Sequence, residues 1–499
     1  MARVFLQNLI IMNKEGNNGS TNLEQEMAAR AAELTTQRRA RREALVDMTL
    51  HTISEAVESQ ESQIASLMST GKSPSQQALR EIVTREVCRA ADGRLWCREY
   101  DEKAKSNQQV LTYTGSHWQR IEPQQWKDFV RHCAERCGLP ESLLMNQTFM
   151  KPLIEGVAYN VAEFRRQRTP ADEVWMNLRN GTLVVKADGN VHLRDHSKDD
   201  LFTYTLDYDY DRQASYERWQ KFLDRVLPEA DLQQVLCEAF GYCFMKDHSL
   251  EKMFWLYGQG QNGKSVTLEV IEALLGSTNV SYLSLSDLTN DEVKRAGIEG
   301  KLLNISHESG KDVNASVLKQ LTSGERVLIK HLYVDPRETN DYGKFFAAFN
   351  ALPKAEITFG YFRRLIIIPY NVTIPPEEVD RQLTDKLKQE LSGILNWVLN
   401  ALPRLMVSGR FTQSESCEKA LEQYRLQSDN VKLFVSERCE ECEYTTAASE
   451  VYMAYKEYCD DSGLRPLGKQ KFYERLAQLM GQPEVYGGLK RFKLKLVAQ

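Results

Sequence analysis

Residues Gly258 to Ser265 read GQGQNGKS: a glycine, four residues, then Gly263, Lys264 and Ser265. That spacing suits a phosphate cradle. Small residues let loop N–H groups turn toward phosphate oxygens, and a helix starting at the loop's end adds its partial positive charge. Lys264 reaches the β- and γ-phosphates, and the Ser265 hydroxyl joins a Mg2+ shell. The candidate nucleotide contacts are Gly258, Gly260, Asn262, Gly263, Lys264, Ser265 and Val266, with ATP and Mg2+ as cofactors. The flanks agree. KMFWLY before the loop is an apolar run of strand length. After it, Val266, Val270, Ile271, Leu274 and Leu275 form one helical stripe that Gly276 ends. The Gly-Lys-Ser at 71–73 is no cradle: no glycine stands five residues earlier, and Pro74 follows at once.

Hydrolysis needs a carboxylate at the tip of a neighbouring strand. GKLLNISHESG supplies one: Leu302 to Ser306 is the strand, and Glu308 stands just beyond it, placed to polarise water directly or through Mg2+. His307 reads as structural. Phe345 to Phe349 is a further apolar strand with Asn350 at its tip, where an amide can hold the water. Arg363 and Arg364 precede another strand and suit an arginine finger at a domain edge.

The elements that must position these groups fit an ordinary soluble chain. Its 499 residues suggest two to four domains, and it is 42% hydrophobic and 27% charged. A net charge of −5 excludes a polycation but not local basic patches. Cys439, Cys442 and Cys459 fall short of the four ligands of a zinc site, so the cysteines read as reduced thiols. No apolar run is long enough for a membrane span. VFLQNLIIMNK is interrupted by Gln7 and Asn8 and lacks a signal peptide's flanks; Met12 is an alternative start. A cytoplasmic protein is expected. Along the chain, a polar helical stretch near 20–90 carries Arg38, Arg39, Arg41 and Arg42. A strand pair turns at Gly115. A helix with Trp126, Phe129, Val130 and Cys133 on one face stops at Gly138. VWMNLRNGTLVV reads as strand, Asn-Gly turn, strand, and helices fill 214–247.

The stretches LYGQGQNGKSVTLEVIEALLG, KLLNISHESG, LKQLTSGERVLIKHLY, FNALP and YFRRLIIIPYNVTIP, in this order, resemble the superfamily-3 helicases. More closely, they are similar to the C-terminal part of phage- and plasmid-type primase–helicases, relatives of the poxvirus primase–helicase. The resemblance runs from about residue 105 to the end. It implies an AAA+-like α/β P-loop core and assigns Lys264 and Ser265 to Walker A, Glu308 to Walker B and Asn350 to sensor 1. Arg363 or Arg364, with Arg364 preferred, is implied as a finger acting across a subunit boundary. Lys330 and His331 are implied at the tip of a DNA-gripping hairpin. His307 departs from the paired acids common at Walker B. The C-terminal end resembles a winged helix, with Lys469, Lys471 and Arg475 on its second helix facing DNA.

The architecture expected is a helical, partly flexible segment at 1–104, a mixed α/β domain at 105–210 and a helical collar at 211–249 that helps hold a ring. The P-loop core follows at 250–405, then a helical linker with a winged-helix-like domain at 406–499. The function implied is an ATP-dependent helicase of a mobile element's replication system. It would form a homo-oligomer, a hexamer, moving on single-stranded and forked DNA, without its own primase and with a host or element primase or polymerase as partner. The alternative is an origin-binding initiator or switch with little unwinding. A small-molecule kinase would need an acceptor lid that the sequence lacks.

Overall fold

The computed structural model describes residues 40, 43–69, 75–98, 109–161, 169–307, 313–331, 335–353, 359–461 and 466–497. The expectations for Arg38, Arg39, Arg41, Arg42 and Glu308 fall outside these residues. The chain divides into two compact units, 1–169 with 194–205, and 170–193 with 206–499.

In the first unit, strands Gln109–Tyr113 and Trp118–Arg120 pair antiparallel around Gly115. The helix Pro123–Arg136 buries Trp126, Phe129, Val130 and Cys133, the stripe read from spacing. Gly138 ends this segment at φ 94°, a conformation glycine adopts without a Cβ clash. The helical residues before position 92 have no separate core: Val46, Leu50, Leu79 and Val83 pack in one cluster with Phe129, Phe149 and Leu153. The boundary expected near 104 therefore runs through a shared core.

The second unit contains the expected hairpin, Glu173–Leu178 with Gly181–Lys186. Its centre is a five-stranded sheet. The strands are β1 Met253–Tyr257, β2 Val280–Ser281, β3 Leu303–His307, β4 Lys344–Phe349 and β5 Leu365–Pro369. Their spatial order is β5-β1-β4-β3-β2, all parallel. Parallel strands covered on both faces read as unbroken apolar runs, as MFWLY, KFFAAF and LIIIP do. Alternate residues serve opposite faces. Trp255, Phe345, Phe349 and Ile367 join Leu285, Leu318, Leu321 and Tyr424 on one side. Phe254 and Phe346 meet Tyr242 and Phe240 on the other.

That second face is covered by α1 Glu217–Val226, α2 Ala230–Tyr242 and, beyond the helix α3 Lys264–Leu275, α4 Leu391–Ser408. Trp219 stacks on Phe222 and meets Trp397 edge-on, and Phe240 meets Trp397 likewise. The helices expected at 214–247 are present. From Val235 to Tyr242 every residue of α2 is buried, so this part of it is an inner layer of its own unit. Helical periodicity announces that a face is buried, not what buries it.

Helix α5 Glu415–Ser428 docks on the core through Tyr424, whose hydroxyl donates to Pro353 O at 2.7 Å. The remainder runs α6 Asn430–Arg438, β6 Cys439–Ala447, α7 Ala448–Asp461, α8 Lys469–Met480, β7 Glu484–Tyr486 and β8 Leu489–Leu496. The strands form an antiparallel sheet in the order β6-β8-β7. Phe434, Tyr455, Phe472, Phe492 and Leu494 fill a core of their own.

Candidate nucleotide site

In a parallel sheet the ligand crevice lies beyond the carboxyl ends of the strands. Two predicted groups stand there, the loop from Gly258 after β1 and Asn350 after β4, together with His307 at the end of β3, which the sequence reading took as structural. Gly258 is required by contact, since a Cβ would lie 2.3 Å from Tyr370 O. Gly263 is required twice over. Its φ is 88°, and a Cβ would meet Val226 of α1 at 2.7 Å. Helix α3 begins at the next residue, and no side chain caps it. Its first-turn N–H groups are the kind that serve an anion.

Lys264 is buried, and its Nζ donates to Gly258 O, to Asn262 Oδ1 at 3.0 Å and to Asn350 Oδ1 at 3.3 Å. Burial lowers its pKa. Three oxygens on the loop and on the neighbouring strand thus hold the ammonium in the cradle. Asn262 in turn donates Nδ2 to Tyr370 O at 3.1 Å, tying the loop to the end of β5. Ser265 and Val266 line the cleft, as do Gly260 and His307, and partial enclosure lowers the His307 pKa.

The cleft has a volume of about 670 Å3, within the range of small-molecule sites. Its far wall was not legible in the sequence. Phe222 of α1, Ile374, Val379 and Leu383 supply its apolar lining there. Glu378 on this wall pairs with Arg225 at 2.8 Å, and Asp380 with Lys386 at 2.7 Å, which holds the Asp380 carboxyl low. Only an apolar residue's position on α1, not its type, marks Phe222 as part of the site.

The other predicted residues lie apart. Arg363 and Arg364 precede β5, beside the start of β1: Arg364 O accepts from Met253 N at 2.9 Å. The length of β1, on the order of 13 Å, separates them from the loop of the same chain. The two arginines differ. Arg364 is buried, with its guanidinium on Ser323 Oγ (2.7 and 3.1 Å) and Gly360 O (2.6 Å). Arg363 is half exposed and pairs with Glu251 at 2.7 Å. Arg364, the arginine preferred as the finger, is the packed one, and Arg363 is the more exposed of the two.

Lys330 and His331 follow the first strand of an antiparallel hairpin, Val327–Ile329 with Arg337–Thr339. His331 Nε2 lies 3.3 Å from Glu299 Oε2, which also takes Arg337. In the C-terminal region Lys469 and Lys471 are exposed on α8. Arg475 is committed elsewhere, donating to Asp429 at 2.6 and 2.8 Å, the residue that caps α6.

Three family descriptions match the chain. Residues 93–228 match "D5 N terminal like", 256–364 a family of unknown function (DUF5906), and 426–495 "Poxvirus D5 protein-like". A protein of Acanthamoeba polyphaga mimivirus named "Putative helicase L207/L206" is 24% identical over 244 residues, 46% of this chain and 25% of that protein. The chain thus spans about a quarter of that relative's length. Apo structures of the NrS-1 C-terminal region cover 84% and 78% of this chain, and 99% and 94% of their own chains. They are 11% identical, with TM-scores of 0.48 and 0.43. The two D5-type matches flank the P-loop sheet on either side in chain order. Over these segments the chain is similar to D5-type proteins and to a protein named as a helicase. No helix among the described residues is long and apolar enough to cross a membrane.

Proposed function

We propose that the chain is an ATP-dependent DNA helicase of a mobile element's replication system, a hexameric ring translocating on single-stranded and forked DNA. The observation that carries this reading is the joining of Lys264, Asn262 and Asn350 in one nucleotide-sized cleft, while Arg363 stands at the opposite end of the same sheet. Each chain then holds half of two sites. The strand order supports an AAA+-like core of superfamily 3.

In this reading Lys264 leaves its loop oxygens for the β- and γ-phosphates, and the uncapped start of α3 holds them by backbone N–H groups. Phe222, Ile374 and Leu383 exclude water from the base. Asn350 orients the attacking water with Glu308, and Arg363 of one subunit meets the nucleotide of the next. Mg2+, held by Ser265 and Glu308, would neutralise charge on the phosphates. Lys330 and His331 grip DNA phosphates from the hairpin. The α-β-α-α-β-β order of residues 430–496 supports a winged helix whose Lys469 and Lys471 add a second contact. Priming would fall to a host or element primase or polymerase.

The test is steady-state ATP hydrolysis with and without single-stranded DNA, on wild type and Lys264→Ala. Stimulation by DNA that vanishes in the variant supports the motor. Turnover indifferent to DNA favours an initiator or switch, and absence of turnover in the wild type removes the motor reading.

A further inference from the structure

Arg363 and Arg364 share one acid. Their Nη2 atoms lie 2.7 and 3.1 Å from the same oxygen, Glu251 Oε2. The next residue, Lys252, donates its Nζ to Arg363 O, and burial, with Arg363 beside it, lowers its pKa. Three cations thus crowd a single carboxylate. Glu251 is also strained: its φ is 47°, in the left-handed region that side-chain-bearing residues rarely adopt. Glycine would relieve that backbone, so what glutamate adds at this place is its carboxylate. The surface beside it is open. A cleft of about 230 Å3 reaches Glu251, with Ser249, Ser323 and Asn340 on its walls. Glu251 is therefore reached from outside the chain, and Arg363, half exposed, is open to solvent beside it.

We propose that Glu251 is a latch on the arginine finger. While the neighbouring subunit holds no nucleotide, the Glu251 carboxylate occupies the Arg363 guanidinium, and the γ-phosphate of a neighbour's nucleotide displaces it. Arg364, fixed by Ser323 and Gly360, is the immobile member of the pair. The latch rests on the reading that an arginine acts across a subunit boundary. Glu251 is a positioning residue: it touches the finger, not the substrate.

The test is ATP hydrolysis by the full chain without DNA. Glu251→Gln keeps the shape and removes the charge. Glu251→Gly removes the carboxylate and suits the backbone. Both are expected to raise kcat about two- to fivefold, the range an ion pair of this exposure withholds, at unchanged KM. Adding Arg363→Ala should cancel the gain. A kcat at or below wild type in both variants, with circular dichroism unchanged, overturns the latch. If Arg363→Ala is inactive while both Glu251 variants match wild type, the latch alone fails. If Arg363→Ala hydrolyses ATP at the wild-type rate, the finger reading beneath it fails.

Discussion

The two ends of the central sheet are built differently. At the carboxyl ends, one contiguous stretch, Gly260 to Val266, lines the cleft, and Asn350 accepts from Lys264 after the neighbouring strand. At the amino ends, Arg363, Arg364, Glu251 and Ser323 converge from three separate stretches of chain. The first end is a cradle complete in its backbone. The second is a charged surface with a strained acid on it. A motif that binds by main-chain geometry must be contiguous. A group that reaches into another subunit need only be held at the right edge.

That contrast is sharpest under substitution. Lys264→Ala should reduce hydrolysis to background, and Arg363→Ala should cost about 10^3-fold in kcat, the scale of an arginine finger. The half-exposed Arg363 should leave the melting temperature almost unchanged. Equal melting losses for both arginines would break the distinction between them. Arg364→Ala should instead destabilise the fold by about 2 kcal/mol, because it empties the place of a buried side chain and removes its hydrogen bonds to the half-buried Ser323 and Gly360 O; chemical denaturation measures it. Phe222→Ala, on the cleft's apolar wall, should raise the KM for ATP about tenfold with little change in kcat, if the base stacks there as aromatic rings hold bases elsewhere. An unchanged KM would move the base away from α1.

A separate effect, read through pH, concerns Lys344, at the amino end of β4. It is fully buried, donates to Met245 O and Asp247 O, and burial lowers its pKa to about 7. Between pH 7 and the ordinary lysine range the unfolded chain holds this proton and the folded chain does not. Raising pH through that window therefore favours the folded state. The stability of wild type relative to Lys344→Met should rise from pH 7 to pH 10, and a flat difference would show that Lys344 stays charged when folded.

How much of this was legible follows from the same contrast. The glycine loop, its strand and its helix could be read because their signals are local: apolar runs, helical spacing and glycines at fixed offsets. The hairpins at Gly115 and Gly181 and the last two helices were readable for that reason too. Phe222 was not, because a phenylalanine on an amphipathic helix looks the same whether it faces a core or a nucleotide. Arg363 and Arg364 are adjacent and identical in type, and only packing against Ser323 separates them. Arg475 looked like a free cation until Asp429, 46 residues away, took it. Glu251 left no trace, since a left-handed glutamate has no sequence signature.

The most direct measurement mixes two inactive proteins. Lys264→Ala lacks a working cradle but presents Arg363; Arg363→Ala has the cradle but no finger. If each site is shared between neighbouring subunits, the mixture hydrolyses ATP while neither variant does so alone. A mixture as silent as its parts, under conditions where light scattering shows mixed oligomers, would contradict a site divided between the two ends of the sheet.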